Sequence, residues 1–409
     1  MRRAVLLLAI VATTMFIFAG FVSAQDELAG GTVLAPLSTQ GIPGLSVHTP
    51  LYIYIPAGGV NPEIPSGETP ASIACIYGVV KKTTGCPKDG TLIPKGGADA
   101  IAVVEYGSNS TLQSDAKTFA SQWGLPAPNI TEICATGKGT CPINDGTGWD
   151  VETSLDVQWA HAMAPNAKIY VAEFTNDPIG DGAETDGAQA VAGAGGGEVS
   201  NSWVYNGGEE WCAPPDNCEL NYDQYFVENG VVFFASAGDD GAQVNYPSVS
   251  PNVISAGGTY INRNVQTGNY ASESCWSGSG GGESQYEPIP SYQDVIQSIV
   301  GNFHGIPDLA ADASPGSGVA VYNTTSCGGW CVVGGTSVAS PVLAAITNAA
   351  GGFETSTFNE LTKVYDEYGN AKEYKEYFHD ITKGNNGYPA KKGWDYCTGV
   401  GTPKSLKGL

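Results

Sequence analysis

Short apolar runs recur through the middle of the chain, at Ala100–Val104, Ala167–Ala172, Val231–Ala235 and Val253–Ala256. They are apolar at successive rather than alternate positions, which predicts strands buried on both faces of a parallel sheet. Between them, Leu112–Trp123, Val151–Met163, Asp181–Ala194 and Tyr222–Asn229 read as helices. Alternating strands and helices predict an α/β fold with a mostly parallel central sheet flanked by helices. Glycine is abundant, at 55 of 409 residues, and in such sheets Gly-rich loops at the strand ends carry the chemistry. Gly278–Gly282 reads as a flexible surface loop, and the Gly/Pro/Ser/Thr-rich residues 25–65 as an extended N-terminal arm. There is no internal repeat.

The first residues follow a different pattern. Arg2 and Arg3 precede a nearly unbroken apolar run from Ala4 to Phe21, then Val22-Ser23-Ala24. A basic start, an apolar stretch and a small-residue cleavage site predict a signal peptide over residues 1–24 and an exported product. A membrane anchor is the competing reading; no later segment is apolar for long enough to span a bilayer. Composition narrows the partners. With 41 Asp+Glu against 18 Lys+Arg, the net charge is −23. That excludes nucleic acid, which needs basic patches, and argues against stable association with anionic membranes. Few cations also limit self-repulsion once carboxylates protonate, so the balance suits acid; adaptation to salt would give the same balance. Ten cysteines in an exported chain predict disulfides. Cys75/Cys86, Cys134/Cys141 and Cys212/Cys218 read as local staples, whereas Cys275, Cys327, Cys331 and Cys397 allow three pairings. Asn109, Asn129 and Asn323 stand in glycosylation sequons.

Candidate chemistry centres on Ser337, in Gly334-Gly335-Thr336-Ser337-Val338-Ala339-Ser340-Pro341. A serine hydroxyl needs a base to become a nucleophile, and no histidine is placed for it. His48 lies in the arm, His304 beside a Pro-containing loop and His379 near the C-terminus. His161 is nine residues after Glu152, on the far side of the helix. Carboxylates are the alternative. Glu152 and Asp156 share one face of a predicted helix at i and i+4, and the flanking Leu155 and Trp159 mark that face as partly buried. A buried carboxyl pair titrates as a unit and can serve as a base in acid. Taken alone, the two acids also fit an exposed helix N-terminus, where the dipole tolerates them. Asp239 follows an apolar strand in Ser236-Ala237-Gly238-Asp239, where α/β sites gather, although turn aspartates that cap their own backbone are common.

Together these motifs resemble the sedolisins, or serine-carboxyl peptidases, over roughly residues 65–405. The resemblance rests on Glu152-Thr-Ser-Leu-Asp156-Val-Gln-Trp159 with Ala164-Pro165, on Ser236-Ala-Gly-Asp239, on Ile306-Pro307-Asp308 through Asp312, and on Gly334-Gly-Thr-Ser337 with Pro341. It implies a subtilisin-like peptidase domain over residues 66–409 and an exported, monomeric endopeptidase acting on polypeptides in acid. Ser337 would be the nucleophile, Glu152 the base and Asp156 its positioner. A protonated Asp239 and the Ser337 backbone N–H would hold the oxyanion. Ser202 and Trp203 resemble the strand lining the substrate cleft, with Val204 where the family usually has Gly. Asp380, Ile381, Lys391, Gly393 and Asp395 resemble the family's calcium loop, so one Ca2+ is expected through two carboxylates and backbone carbonyls. Members are normally made with a long folded prodomain, whereas here the signal is followed almost directly by the arm. That departure leaves a catalytically weak, sedolisin-like binding protein as the alternative.

Overall fold

The computed structural model describes residues 31–135, 140–212, 218–352 and 354–409. The expected signal peptide lies outside them, as do the side chains of Cys212 and Cys218. Three short strands come first: β1 (Thr32–Leu34), β2 (Val47–His48) and β3 (Tyr52–Ile55). Helix α1 (Pro70–Ile76) then leads into alternating elements: β4 (Ala100–Tyr106), α2 (Leu112–Trp123), β5 (Asn129–Cys134), α3 (Trp149–Met163), β6 (Lys168–Phe174), α4 (Ala183–Gly193) and β7 (Gly197–Asn201). After the two-residue β8 (Val204–Tyr205) come β9 (Val231–Ser236), β10 (Ile254–Arg263) and β11 (Tyr270–Cys275). A surface pair, β12 (Gly282–Pro288) and β13 (Phe303–Ile306), precedes β14 (Leu309–Asp312), β15 (Val319–Asn323), β16 (Gly329–Gly334) and helix α5 (Thr336–Ala350).

The central sheet runs β11-β10-β9-β7-β4-β6-β5, with β14 also beside β10. Every pairing is parallel except that of β11 with β10. Side chains alternate across a strand, and β4 divides accordingly. Ile101 and Val103 join the apolar cluster containing α3 and α5, whereas Ala100, Ala102 and Val104 join the cluster on the α4 side. β6 divides in the same way, with Ile169 and Val171 on the first face and Tyr170, Ala172 and Phe174 on the second. Full burial on both faces is why these runs carry no period-two signal in the sequence. The predicted helix at Tyr222–Asn229 is not formed. A single 3-10 turn spans Asp223–Phe226 instead, because Asn229-Gly230 sits at the tight entry to β9, with Gly230 at φ 78°.

One loop expectation needs correction. Gly278–Gly282 is not a loose surface loop: Ser279–Gly282 are buried. Added Cβ atoms would lie 2.0 Å from the Ala237 carbonyl at Gly280 and 1.8 Å from the Tyr396 carbonyl at Gly281. The glycines let backbones touch. The arm is extended and paired: β1 pairs with β3, β3 with β16, and β2 with β8. The local staples Cys75–Cys86 and Cys134–Cys141 are formed, and the open pairings resolve to Cys275–Cys397 and Cys327–Cys331.

The start of α3 is pinned by polar contacts. The Asp150 carbonyl accepts from Asn109 Nδ2 and Asn323 Nδ2, both at 3.0 Å, and its carboxylate accepts from Thr325 Oγ1 at 2.5 Å and Ser326 Oγ at 2.6 Å. Lower down, Trp159 is fully buried and donates to the Ala320 carbonyl at 3.0 Å. The helix is therefore fixed in both depth and rotation before its acidic face is considered.

Candidate active site

Helices α3 and α5 pack side by side on one face of the sheet, and their facing sides meet at Ser337 and Glu152. Ser337 Oγ donates to Glu152 Oε2 at 3.1 Å. The approach depends on Gly335, whose φ of 112° turns the chain from β16 into α5. Four residues beyond Ser337, Pro341 has no N–H to return to the Ser337 carbonyl. Ser202 Oγ lies 3.4 Å from that carbonyl and 3.0 Å from Asp156 Oδ1. A hydroxyl has one proton to donate. It goes to Asp156, the shorter contact, and favours the charged form of that carboxyl.

The carboxyl cluster contains a member that the sequence reading missed. Glu105, at the end of β4, has the same parity as Ile101 and Val103, so it faces α3. It accepts from Thr153 Oγ1 at 3.4 Å and lies close enough to Asp156 to feel its charge. Its signal was a lone acid closing the apolar run Ile101-Ala-Val-Val-Glu105. Glu105, Glu152 and Asp156 are each wholly buried. Among the described residues, Glu105 Oε1, Glu152 Oε1 and Asp156 Oδ2 have no partner. Three adjacent carboxyls in that state must share protons. Burial and then the charge of Asp156 hold Glu105 and Glu152 well above the usual carboxyl range, with Glu105 adding to the effect on Glu152. Burial pushes Asp156 up to about 8 against the opposing bond from Ser202.

Asp239 stands across from this cluster. Its Oδ1 accepts from the Thr336 N–H and Oγ1, both at 2.8 Å, while Oδ2 is buried without a partner among the described residues. Burial pushes it up to about 7 despite the Thr336 bonds. Oδ2 is aimed at the turn before Ser337, where a Cβ on Gly335 would lie 2.7 Å away. A protonated Oδ2 can therefore donate to an oxygen at that turn. The histidines are elsewhere. His161 bonds the Pro126 carbonyl at 2.8 Å and His304 the Val249 carbonyl at 2.7 Å. His48 meets Asn206, and His379 meets the Ile76 carbonyl.

Against this geometry, the Subtilase family (Peptidase_S8) matches residues 131–351. The chain belongs to the subtilase family. Within it, the chain sides with the sedolisins. It is 32% identical over 351 residues to kumamolisin from Bacillus sp. (strain MN-32), covering 76% of this chain and 59% of that protein. It is 28% identical over 388 residues to sedolisin from Pseudomonas sp. (strain 101), covering 84% of this chain and 63% of that one. The chain thus spans less than two thirds of either relative's length. Among solved structures, Pseudomonas sedolisin, a serine-carboxyl proteinase complexed with two molecules of pseudo-iodotyrostatin, superposes with a TM-score of 0.66. The identity there is 26%, over 84% of this chain and 97% of that one. The subtilisin-like α/β fold expected from the sequence is the fold observed.

In this subtilase, Ser202 sits between Asp156 and the serine. Trp203 is wholly buried, donates to Asn201 Oδ1 at 3.0 Å and meets Tyr205 edge-on. Its side chain supports the strand from behind. The expected metal loop is closed by its own acids. Asp380 Oδ1 accepts from the Gly393 N–H at 3.0 Å, Asp395 Oδ2 from the Lys391 N–H at 2.8 Å, and Asp395 Oδ1 from the Cys397 and Thr398 N–H groups. Asp395 is 1% exposed, and among the described residues neither acid has an ion-pair partner. Two acids without a basic partner, facing the same loop of backbone, have the donor chemistry that a hard, oxygen-seeking cation takes.

Proposed function

We propose that this protein is an exported serine-carboxyl endopeptidase that hydrolyses polypeptides in acid through an acyl-enzyme on Ser337. The 3.1 Å bond from Ser337 Oγ to a buried glutamate carries the reading, because it gives the hydroxyl a base where no imidazole is near. Glu152 accepts the Oγ proton as Ser337 attacks the substrate carbonyl. Asp156, held by Ser202 and flanked by Glu105, fixes Glu152 and shares the proton load. Asp239 donates from its protonated oxygen to the oxyanion, a role that an ionised carboxylate would oppose. Glu152 then returns the proton to the leaving amine, and water hydrolyses the ester by the same steps in reverse.

The pH window follows from the charge states. The Glu105–Glu152–Asp156 cluster must have lost one proton, and Asp239 must keep its own. The acid limb of the rate profile is the first ionisation of the cluster, and the alkaline limb is the ionisation of Asp239; burial raises both. Export is supported by the four disulfides among the described residues, and no helix there is long and apolar enough to cross a membrane. One chain supplies every group of the site, so a monomer suffices. One Ca2+ held by Asp380, Asp395 and the carbonyls of Ile381, Lys391 and Gly393 would neutralise the acids of that loop.

The test is a pH–rate profile on an unfolded protein substrate for wild type, Ser337→Ala, Glu152→Gln and Asp239→Asn. Ser337→Ala should be inactive. Losing the base should cost about 10²- to 10⁴-fold, and losing the oxyanion donor about 10²- to 10³-fold. Activity equal to wild type in Glu152→Gln would refute the assignment of the base.

A further inference from the structure

Asp239 has two oxygens, and the reaction can use only one placement of its proton. The oxygen that meets the substrate must carry it, since an oxyanion accepts and does not donate. A carboxyl free to choose would hold the proton on either oxygen. The residue as a whole is half-buried, but its Oδ2 is closed off and has no partner among the described residues, whereas Oδ1 has two. What separates the two oxygens is Thr336.

Thr336 is the first residue of α5 and is 0% exposed. Its N–H is one of the donors that a helix leaves free at its start, and Gly335 before it supplies no capping side chain. Asp239 caps the helix from the turn after β9, with Oδ1 taking both the Thr336 N–H and the Thr336 hydroxyl. The direction of that hydroxyl is fixed by its other contact. The Gly238 N–H donates to Thr336 Oγ1 at 3.1 Å, and an N–H can only donate. The Thr336 proton is therefore left for Oδ1. The side chain is held in this pose. A β-branched residue is stiff about its first torsion, and the Thr336 methyl packs on Gly258, where an added Cβ would lie 3.4 Å from it. A proton on Oδ1 would face the Thr336 N–H, another donor, and would leave the Thr336 hydroxyl proton without an acceptor. These donors are all satisfied only when Oδ1 is bare.

Resting on the peptidase reading above, we propose that Thr336 is a positioning residue that assigns the proton of Asp239 to Oδ2, the oxygen aimed at the turn before Ser337. Thr336 needs no contact with substrate. It acts through Asp239 alone, by setting the oxyanion donor before the substrate arrives. The same two bonds also loosen the hold on that proton, because they favour the ionised form. The titratable groups within electrostatic reach of Asp239 are Asp240 on its own turn, Tyr52 from β3 and Glu152 from α3. None of them is basic, so the donors that oppose the proton are those of Thr336. Removing the hydroxyl should therefore have two effects of opposite sense: a slower reaction, and an Asp239 that keeps its proton to higher pH.

The experiment compares pH–rate profiles on an unfolded protein substrate for wild type, Thr336→Val and Thr336→Ser, with Ser337→Ala as the blank. Thr336→Val keeps the shape and the N–H but lacks the hydroxyl. Its kcat should fall about fivefold, the worth of one hydrogen bond, with KM unchanged, and its alkaline limb should move up by about half to one pH unit. A merely loosened fold would lower the rate without carrying the limb upward. Thr336→Ser keeps the hydroxyl and should return most of the rate and the original limb. A Thr336→Val with the wild-type rate, or a slower one whose limb stays or moves down, would overturn the proposal and leave the peptidase reading standing. A wild type that cuts nothing would bring down both. Infrared difference spectra in acid, Ser337→Ala against Ser337→Ala with Asp239→Asn, answer the question without the valine variant. The Asp239 carbonyl stretch should be lowered by two hydrogen bonds. An unbonded carbonyl would put the proton on Oδ1 and overturn the proposal, and an ionised Asp239 would remove the oxyanion donor from the peptidase reading as well.

Discussion

Replacing Glu184 with glutamine should flatten the pH dependence of this protein's stability. Glu184 is wholly buried in α4, with Asn201 Nδ2 donating to its Oε1 at 3.3 Å and no basic partner among the described residues. Burial pushes it up to about 8. A carboxyl whose folded value lies above its unfolded one holds its proton more tightly when folded. Its stabilising effect is complete below the unfolded value near 4 and drains away as pH rises toward the folded value. Each such proton is worth about 1.4 kcal/mol per pH unit, so raising pH from about 4.5 to 6.5 should cost about 2.7 kcal/mol through Glu184 alone. Asp308, buried and pushed up to about 7, acts in the same direction. Against a total of about 5–15 kcal/mol, two such groups remove a large share. The acid side has opposing groups. Burial raises Glu68, but Arg263 and Lys88 outweigh it and lower it overall. Burial raises Asp181, but the bonds from Thr175, Asn176 and Asp177 together outweigh it and hold it at about 2. These contributions fade as pH falls below 4, so stability should peak near pH 4. Urea unfolding of inactive Ser337→Ala, with and without Glu184→Gln, between pH 3 and 7 reads this directly. The glutamine variant keeps the Asn201 contact and should fall less steeply by about one proton. A stability that is level or rising between pH 4.5 and 6.5 would refute the reasoning.

Two further outcomes follow from the site. Glu105→Gln removes a neighbour that raises Glu152, so the acid limb of the rate profile should move down by about one pH unit while the alkaline limb, set by Asp239, stays in place. An unmoved acid limb would reduce Glu105 to packing. Chelation should lower the thermal midpoint of wild type but not of Asp395→Asn, with calcium at a hundredfold over its Kd restoring about 2.7 kcal/mol; identical melts with and without calcium would remove the ion from the loop.

Four strands of the sheet were legible as unbroken apolar runs, whereas β7, buried and parallel but carrying Glu198, Ser200 and Asn201, and the half-exposed β5 were not. Glu152, Asp156, Asp239 and Ser337 were legible because each stands in a motif whose neighbours fix its direction. Glu105 was not. One acid at the end of a strand carries no periodic signal, and only the parity of β4 against α3 shows where it points. The course of the N-terminal arm was equally hidden. An arm of Gly, Pro and Ser has no amphipathic pattern, so its course depends on backbone hydrogen bonds with β8 and β16 that composition does not encode. Gly278–Gly282 was misjudged for a related reason: glycine marks both freedom and close contact, and only the carbonyls of Ala237 and Tyr396 decide between them.

The polar anchor at the head of α3 bears on how the protein can be produced. Asn109 and Asn323, which hold the Asp150 carbonyl, are 4% and 0% exposed and both stand in sequons. A host that attaches sugars during translocation would modify these amides before they are buried, and a glycan there leaves neither the hydrogen bond nor the space that the folded helix needs. Only Asn129, exposed at the start of β5, could carry one without disturbing the carboxyl cluster. Yield from a glycosylating host is therefore tied to two asparagines that take no part in the chemistry, and a bacterial host avoids the conflict.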